Sequence, residues 1–188
     1  MDMVRGAADA GGRPFGGVEK QAMMVRFVPV IVVLLMTLLF GWLLTAPDET
    51  METHSPMRPV PAIALPLLGE TETATLPANQ WYLVNFFASW CIPCVVEHPQ
   101  LLYLKDKVTL IGIAYKDKAV LAKTFLQQHK NPYQYVMQDD QGVAAIEFGI
   151  SGVPESFLVN AEGKIVWSYA GPLLDSQLHD LMKVLDAR

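Results

Sequence analysis

Apolar positions along this chain fall into runs of two kinds. The first is one block, Phe27 to Leu44, reading FVPVIVVLLMTLLFGWLL: 18 residues without a charge. That is long enough to span a bilayer as a helix, and Pro29 in its first turn costs little. From about Pro59 the runs are short. Residues 81–88 (WYLVNFFA) and 108–115 (VTLIGIAY) are continuous apolar segments, the pattern of buried strands. Residues 118–130 predict an amphipathic helix, with Leu121, Phe125 and His129 spaced i, i+4. A short strand at 135–138 and a short helix at 143–148 follow. Strands at 156–160 and 164–169 are joined by the turn Ala161-Glu162-Gly163. Residues 173–185 predict a closing helix, with Leu174, Leu178, Leu181 and Leu185 along one stripe. The order β-α-β-α, then β-β-α, predicts an α/β domain: a mixed central sheet with helices on both faces.

Four segments result. Residues 1–24 are Gly- and Ala-rich without periodicity and read as a disordered cytoplasmic tail. Residues 25–45 read as a transmembrane anchor. Residues 46–58, rich in Pro, Thr and acids, read as a linker. Residues 59–188 form the folded domain. Arg5, Arg13, Lys20 and Arg26 precede the apolar block, whereas Asp48, Glu49 and Glu52 follow it. The basic flank stays in the cytoplasm. The expectation is a single-pass protein of the bacterial inner membrane with its domain on the periplasmic side. A cleaved signal peptide is the competing reading. Its apolar region would be shorter, and Thr45-Ala46-Pro47-Asp48 is a poor cleavage site.

Charge narrows the partners. Of 14 basic residues four precede Phe27, and of 19 acidic residues three do, leaving residues 27–188 with a net charge of −6. An acidic exported domain repels phosphate, so nucleic acid is not an expected partner.

The chain's two cysteines stand together in Trp90-Cys91-Ile92-Pro93-Cys94. Thiols three residues apart can close a disulfide where the backbone bends into a helix. A predicted strand ends just before them, and residues 95–106 have helix-forming composition. Cys91 therefore falls at a strand-to-helix turn, where free amides and the helix dipole favour a thiolate. A structural zinc site needs about four ligands, but no further Cys exists and His54, His98, His129 and His179 are scattered. Covalent haem attachment needs His after the second Cys, and position 95 is Val. An inert structural disulfide would close too short a loop to gain much. A redox-active dithiol is the expected chemistry, with no metal and no cofactor.

This order of elements, with a CxxC at the first helix start, resembles the thioredoxin fold over roughly residues 59–188. The resemblance implies a cis-proline at Pro154 in Gly152-Val153-Pro154, packed against the disulfide. The strings Leu83-Val84-Asn85-Phe86-Phe87-Ala88-Ser89-Trp90-Cys91, Ile111-Gly112-Ile113-Ala114-Tyr115-Lys116-Asp117, Asn131-Pro132-Tyr133 and Gly149-Ile150-Ser151-Gly152-Val153-Pro154-Glu155-Ser156-Phe157-Leu158-Val159 narrow it. They are similar to the membrane-anchored thiol:disulfide interchange proteins of cytochrome c maturation, the DsbE/CcmG type. That resemblance implies a reductant of the haem-binding cysteines of apocytochrome c. Its partners would be a DsbD/CcdA-like membrane electron donor and the cytochrome c maturation machinery. A general periplasmic oxidoreductase and a non-redox module that holds apocytochrome are the alternatives.

Residue roles follow. Cys91, the more exposed thiol, attacks a target disulfide, and Cys94 resolves the mixed disulfide. Ile92 and Pro93 between them tune the thiolate and the potential. Glu97, three residues beyond Cys94 on one helix, is the candidate base, with a solvated surface carboxylate as its plain alternative. Asn85 stands where thioredoxins have a buried Asp and could simply satisfy buried hydrogen bonds. Trp90 is expected to shield the cysteine pair, and Val153 and Pro154 to support it. Glu155 is expected to add an acidic patch over the site, or to be a plain loop carboxylate. His98 reads as a surface residue, and Pro99 as a kink in the helix.

Overall fold

The computed structural model describes residues 18–45 and 57–188, and the chain divides into two units, Met1–Thr50 and Met51–Arg188. In the first, Val18–Thr45 is one helix, α1. Every side chain described in it, from Phe27 to Trp42, is exposed. Among the described residues no helix is long and apolar enough to cross a membrane. The tail reading lies outside the described residues up to position 17, and the linker reading from 46 to 56.

The second unit holds β1 (Arg58–Pro59), β2 (Ala64–Pro66), β3 (Thr73–Thr75), β4 (Tyr82–Phe87), α2 (Ile92–Leu104), β5 (Thr109–Tyr115), α3 (Ala119–His129), β6 (Tyr135–Asp139), α4 (Val143–Phe148), β7 (Glu155–Val159), β8 (Lys164–Ala170) and α5 (Asp175–Asp186). Six strands form one sheet in the order β1-β8-β7-β4-β5-β6, and β2 and β3 pair as a separate hairpin. Strands β4, β5 and β6 run parallel, while β7 is antiparallel to β4 and β8 to β7. The sheet is therefore mixed, as the order of elements predicts.

All six residues of β4 are buried, because helices cover one face of this central strand and α4 with the hairpin the other. That is why the segment reads as a continuous apolar run. Side chains alternate. Leu83 and Phe87 face the core formed with α2, α3 and α5; Tyr82, Val84 and Phe86 face the opposite core. There Phe86, Phe148 and Phe157 meet edge to face, with centroids 5.2, 6.0 and 5.0 Å apart. On the helix face Phe87 stacks on Tyr133 at 5.1 Å and on Phe125 at 5.8 Å. The buried stripe of α3 is Ala122, Phe125 and Leu126; Leu121 is 51% exposed, one step off the expected line.

One glycine is required by this packing. Gly112 in β5 pairs with Asn85 of β4, and a Cβ there would lie 2.9 Å from Tyr133 Cδ2 and 3.1 Å from Phe87 Cε1. Both rings are held by their stacking, so neither yields cheaply. Gly112→Ala should cost about 1–3 kcal/mol, measured by urea unfolding of the full chain. A variant as stable as the parent would mean that the Tyr133 ring is free to move aside.

Candidate redox site

The site begins where β4 ends. The chain turns back on itself, with the Cys91 amide donating to the Ala88 carbonyl at 3.2 Å, and α2 starts at the next residue. Cys91 caps that helix in extended conformation, with Pro93 in its first turn. Its Sγ accepts the Cys94 amide at 3.1 Å. A sulfur placed on the first free amides of a helix is stabilised as a thiolate. Cys94, one turn on, is joined to Cys91 in a disulfide, with Cα atoms 5.3 Å apart. In this oxidised pair Cys91 is 4% exposed and Cys94 1%. The margin between the two is small, because both lie in the buried core on the helix side of the sheet. The Val153–Pro154 peptide is cis. Around the covered pair, Trp90 (58% exposed) and Ile92 (78%) form an apolar rim, with Pro93 exposed beside them.

Cys94 and Glu97 both lie on the buried side of α2. Glu97 is fully buried. Its Oε1 accepts Asn85 Nδ2 at 2.9 Å and its Oε2 accepts the Leu173 amide at 3.0 Å. Burial pushes the carboxyl from 4.5 up to about 7, while these two N–H donors act in the other direction. Asn85 is satisfied on every side, as a buried amide must be. Its Nδ2 also donates to Ser156 Oγ at 3.0 Å, and its Oδ1 accepts the Tyr133 hydroxyl at 2.6 Å. Burial, and then the neighbouring Glu97, hold the Tyr133 phenol well above its ordinary value. Tyr133 therefore stays a neutral donor and fixes which way the amide points. The result is one acid poised near neutrality, on the same helix as the inner cysteine.

Two expectations are corrected. Glu155 does not lie over the cysteines. Ser156 faces Asn85, so by strand alternation Glu155 faces the opposite core. It is 8% exposed, its carboxylate accepts the Ser151 amide at 3.1 Å, and burial raises its pKa. His98 is not a surface residue but 3% exposed. Its Nε2 donates to the Lys130 carbonyl at 2.6 Å, tying α2 to the end of α3. Burial lowers its pKa. Trp90 is more than half exposed, and its Nε1 donates to the Lys116 carbonyl at 3.4 Å. The helix continues through Pro99 to Leu104.

Tyr133, Ser156 and Leu173 are site residues that the sequence reading did not assign. Ser156 carried a legible signal, a hydroxyl in a segment otherwise destined for the core, whereas Tyr133 lies in the polar loop between α3 and β6 and carried none. The role of the Leu173 amide left no trace in the sequence, since any residue could donate it.

A dithiol at a helix start with a buried acid beside it is equipped for thiol:disulfide exchange, and comparison with known proteins points the same way. The Redoxin family profile matches residues 57–185. The chain is similar to thiol:disulfide interchange protein HelX of Rhodobacter capsulatus, 38% identical over 131 residues that make up 68% of this chain and 74% of that protein. It is also similar to thiol:disulfide interchange protein CycY of Rhizobium leguminosarum bv. viciae, 44% identical over 116 residues. That match covers 57% of this chain and 62% of the relative, less than two thirds of its length. Among solved structures, the thioredoxin domain of a thiol-disulfide oxidoreductase from Bacteroides vulgatus superposes with a TM-score of 0.58 at 26% identity, over 72% of this chain and 99% of that one. With the family match spanning nearly all of the folded unit that carries the cysteines, the chain belongs to the Redoxin family, among the DsbE-type thiol:disulfide interchange proteins.

Proposed function

We propose that this chain is a thiol:disulfide oxidoreductase that reduces the haem-binding cysteine pair of apocytochrome c. The observation that carries this reading is the placement of Cys91 Sγ on the Cys94 amide at the helix start, with buried Glu97 on the same helix. In the reduced protein the Cys91 thiolate attacks one sulfur of the client disulfide. A mixed disulfide forms, and the client's other sulfur leaves as a thiolate and takes up a proton. Glu97 accepts the proton of Cys94, and Cys94 attacks Cys91 Sγ. The Cys91–client bond breaks, the client's second sulfur leaves as a thiolate and takes up the proton that Glu97 gives back, and the Cys91–Cys94 disulfide remains beside a client with two thiols. Two electrons pass to the client in each cycle. A DsbD/CcdA-like membrane dithiol restores them, and the cytochrome c maturation machinery uses the product.

The segment order fits that role: a cytoplasmic tail over 1–24, an anchor over 25–45, a linker over 46–58 and a periplasmic domain over 59–188. The 18-residue uncharged block and the basic residues before it support the single-pass topology. The apolar rim of Trp90 and Ile92 supports a polypeptide client, because it offers contact area without selecting a charge.

The test is the reduction potential of the full chain, equilibrated against dithiothreitol. A reductant of client disulfides should lie well below about −200 mV. A value near about −120 mV would make the protein a donor of disulfides and overturn the cytochrome reading.

A further inference from the structure

Asp117 follows β5 and is only 6% exposed. Both of its oxygens are spent on one residue. Oδ2 accepts the Ser89 amide at 2.6 Å, and Oδ1 accepts the Ser89 hydroxyl at 2.9 Å. Ser89 lies beyond the last ladder residue of β4 and two positions before Cys91. Its amide therefore has no strand neighbour, and the carboxylate supplies the acceptor for a part-buried N–H. The adjoining Lys116 carbonyl takes the Trp90 indole N–H. Lys116 itself stands at φ 45°, with its own amide on the Asp139 carbonyl at 3.0 Å. Few non-glycine residues occupy that region, and those that do concentrate where the surroundings over-determine a backbone. Here the unusual turn brings residues 116 and 117 in succession against 89 and 90. The Ala88–Cys91 turn is thus gripped at both of its middle residues by the end of β5.

We propose that Asp117 is a positioning residue for disulfide exchange. By accepting from both donors of Ser89, it fixes the turn that sets Cys91 Sγ against the Cys94 amide in the first turn of α2. A carboxylate taking two hydrogen bonds from one residue is a stiffer hold than a neutral acceptor. Without it the turn is released, Sγ leaves the Cys94 amide, and the thiolate loses its stabilising donor. The proposal rests on Cys91 as the attacking thiol.

The experiment uses the reduced full chain, alkylated with iodoacetamide across pH and mapped by peptide. Its rate of reducing glutathione disulfide is measured in parallel. Asp117→Ala should move the pH midpoint of Cys91 alkylation upward and slow the reduction about ten-fold at neutral pH, the effect of one unit of thiol pKa. Asp117→Asn, which keeps a single acceptor, should fall between that variant and the parent. Ser89→Ala, which keeps the amide bond, should stay within about two-fold of the parent. If Asp117→Ala does not fold, the order of the other two variants decides in the same way. Unchanged midpoint and rate, with a lowered unfolding transition, would leave Asp117 a role in stability alone and overturn the proposal. A midpoint that moves down would overturn it too, since that is the signature of a removed negative charge acting through space. Labelling at Cys94 in the parent chain would instead sink the reading of Cys91 as attacker, and this proposal with it.

Discussion

Cys94→Ser should convert the protein into a trap. Cys91 would still attack a client disulfide, but nothing would then resolve the mixed disulfide. The complex should persist on a non-reducing gel and collapse with dithiothreitol, while turnover falls by at least roughly 10³-fold. Cys91→Ser should lose turnover equally and form no complex. The asymmetry follows from where the sulfurs sit. Cys91 Sγ is at the helix cap and accepts the Cys94 amide, whereas Cys94 lies within the helix, 1% exposed. The stabilised thiolate is the one outside the first turn. A reversed outcome, with Cys91→Ser accumulating the complex, would exchange the two roles and remove the reason for placing a base near Cys94.

Much of this arrangement was legible because strong local signals coincide with it. β4 and β5 are central strands buried on both faces, so each reads as an apolar run despite Asn85 in the one and Gly112 in the other. Glu97 was legible because a helix brings i and i+3 to one side. Elements without such signals escaped. β1, β2 and β3 are two or three residues long, and β1 and β2 each contain a Pro, too short for any periodicity to develop. Glu155 was misplaced for a different reason. Which face it occupies depends on the register that sets Asn85 opposite Ser156, and a one-residue slip would reverse it. Sequence position next to Pro154 carries no such information. His98 depends on a carbonyl 32 residues away at the end of α3, a tertiary contact that no local pattern announces. The grip of Asp117 on Ser89 belongs to the same class. A positive φ at Lys116 sets it up, at a residue type that gives no hint of one.

Glu97→Gln should slow turnover at pH 8 by about 10²-fold, the usual worth of a positioned base, and abolish the pH inflection near neutrality. The parent rate should rise through about pH 7, where burial has moved this carboxyl, because only the ionised acid can take the Cys94 proton. A rate profile of Glu97→Gln that keeps that inflection would assign the proton transfer to another group. Stability should show the opposite trend. Glu97 has a higher pKa folded than unfolded, so the folded state binds the extra proton between about 4.5 and about 7. That contribution is whole below pH 4.5 and disappears as pH rises through 7, a loss of about 3 kcal/mol across the window. Urea unfolding at both ends of that window should show that the Glu97→Gln variant lacks this loss and keeps only the dependence that other shifted groups, Glu155 and His98, give to both proteins. The two trends have one origin. The same burial that makes the ionised carboxylate costly to the fold brings its pKa to the pH at which a base must work. Asn85, held between Tyr133, Ser156 and Glu97, keeps that acid from being either fully solvated or fully abandoned. Asn85→Asp would set a second carboxyl against the first and push the pair's higher pKa further up. The rate inflection should then move to higher pH instead of vanishing, a difference that separates a repositioned base from a missing one.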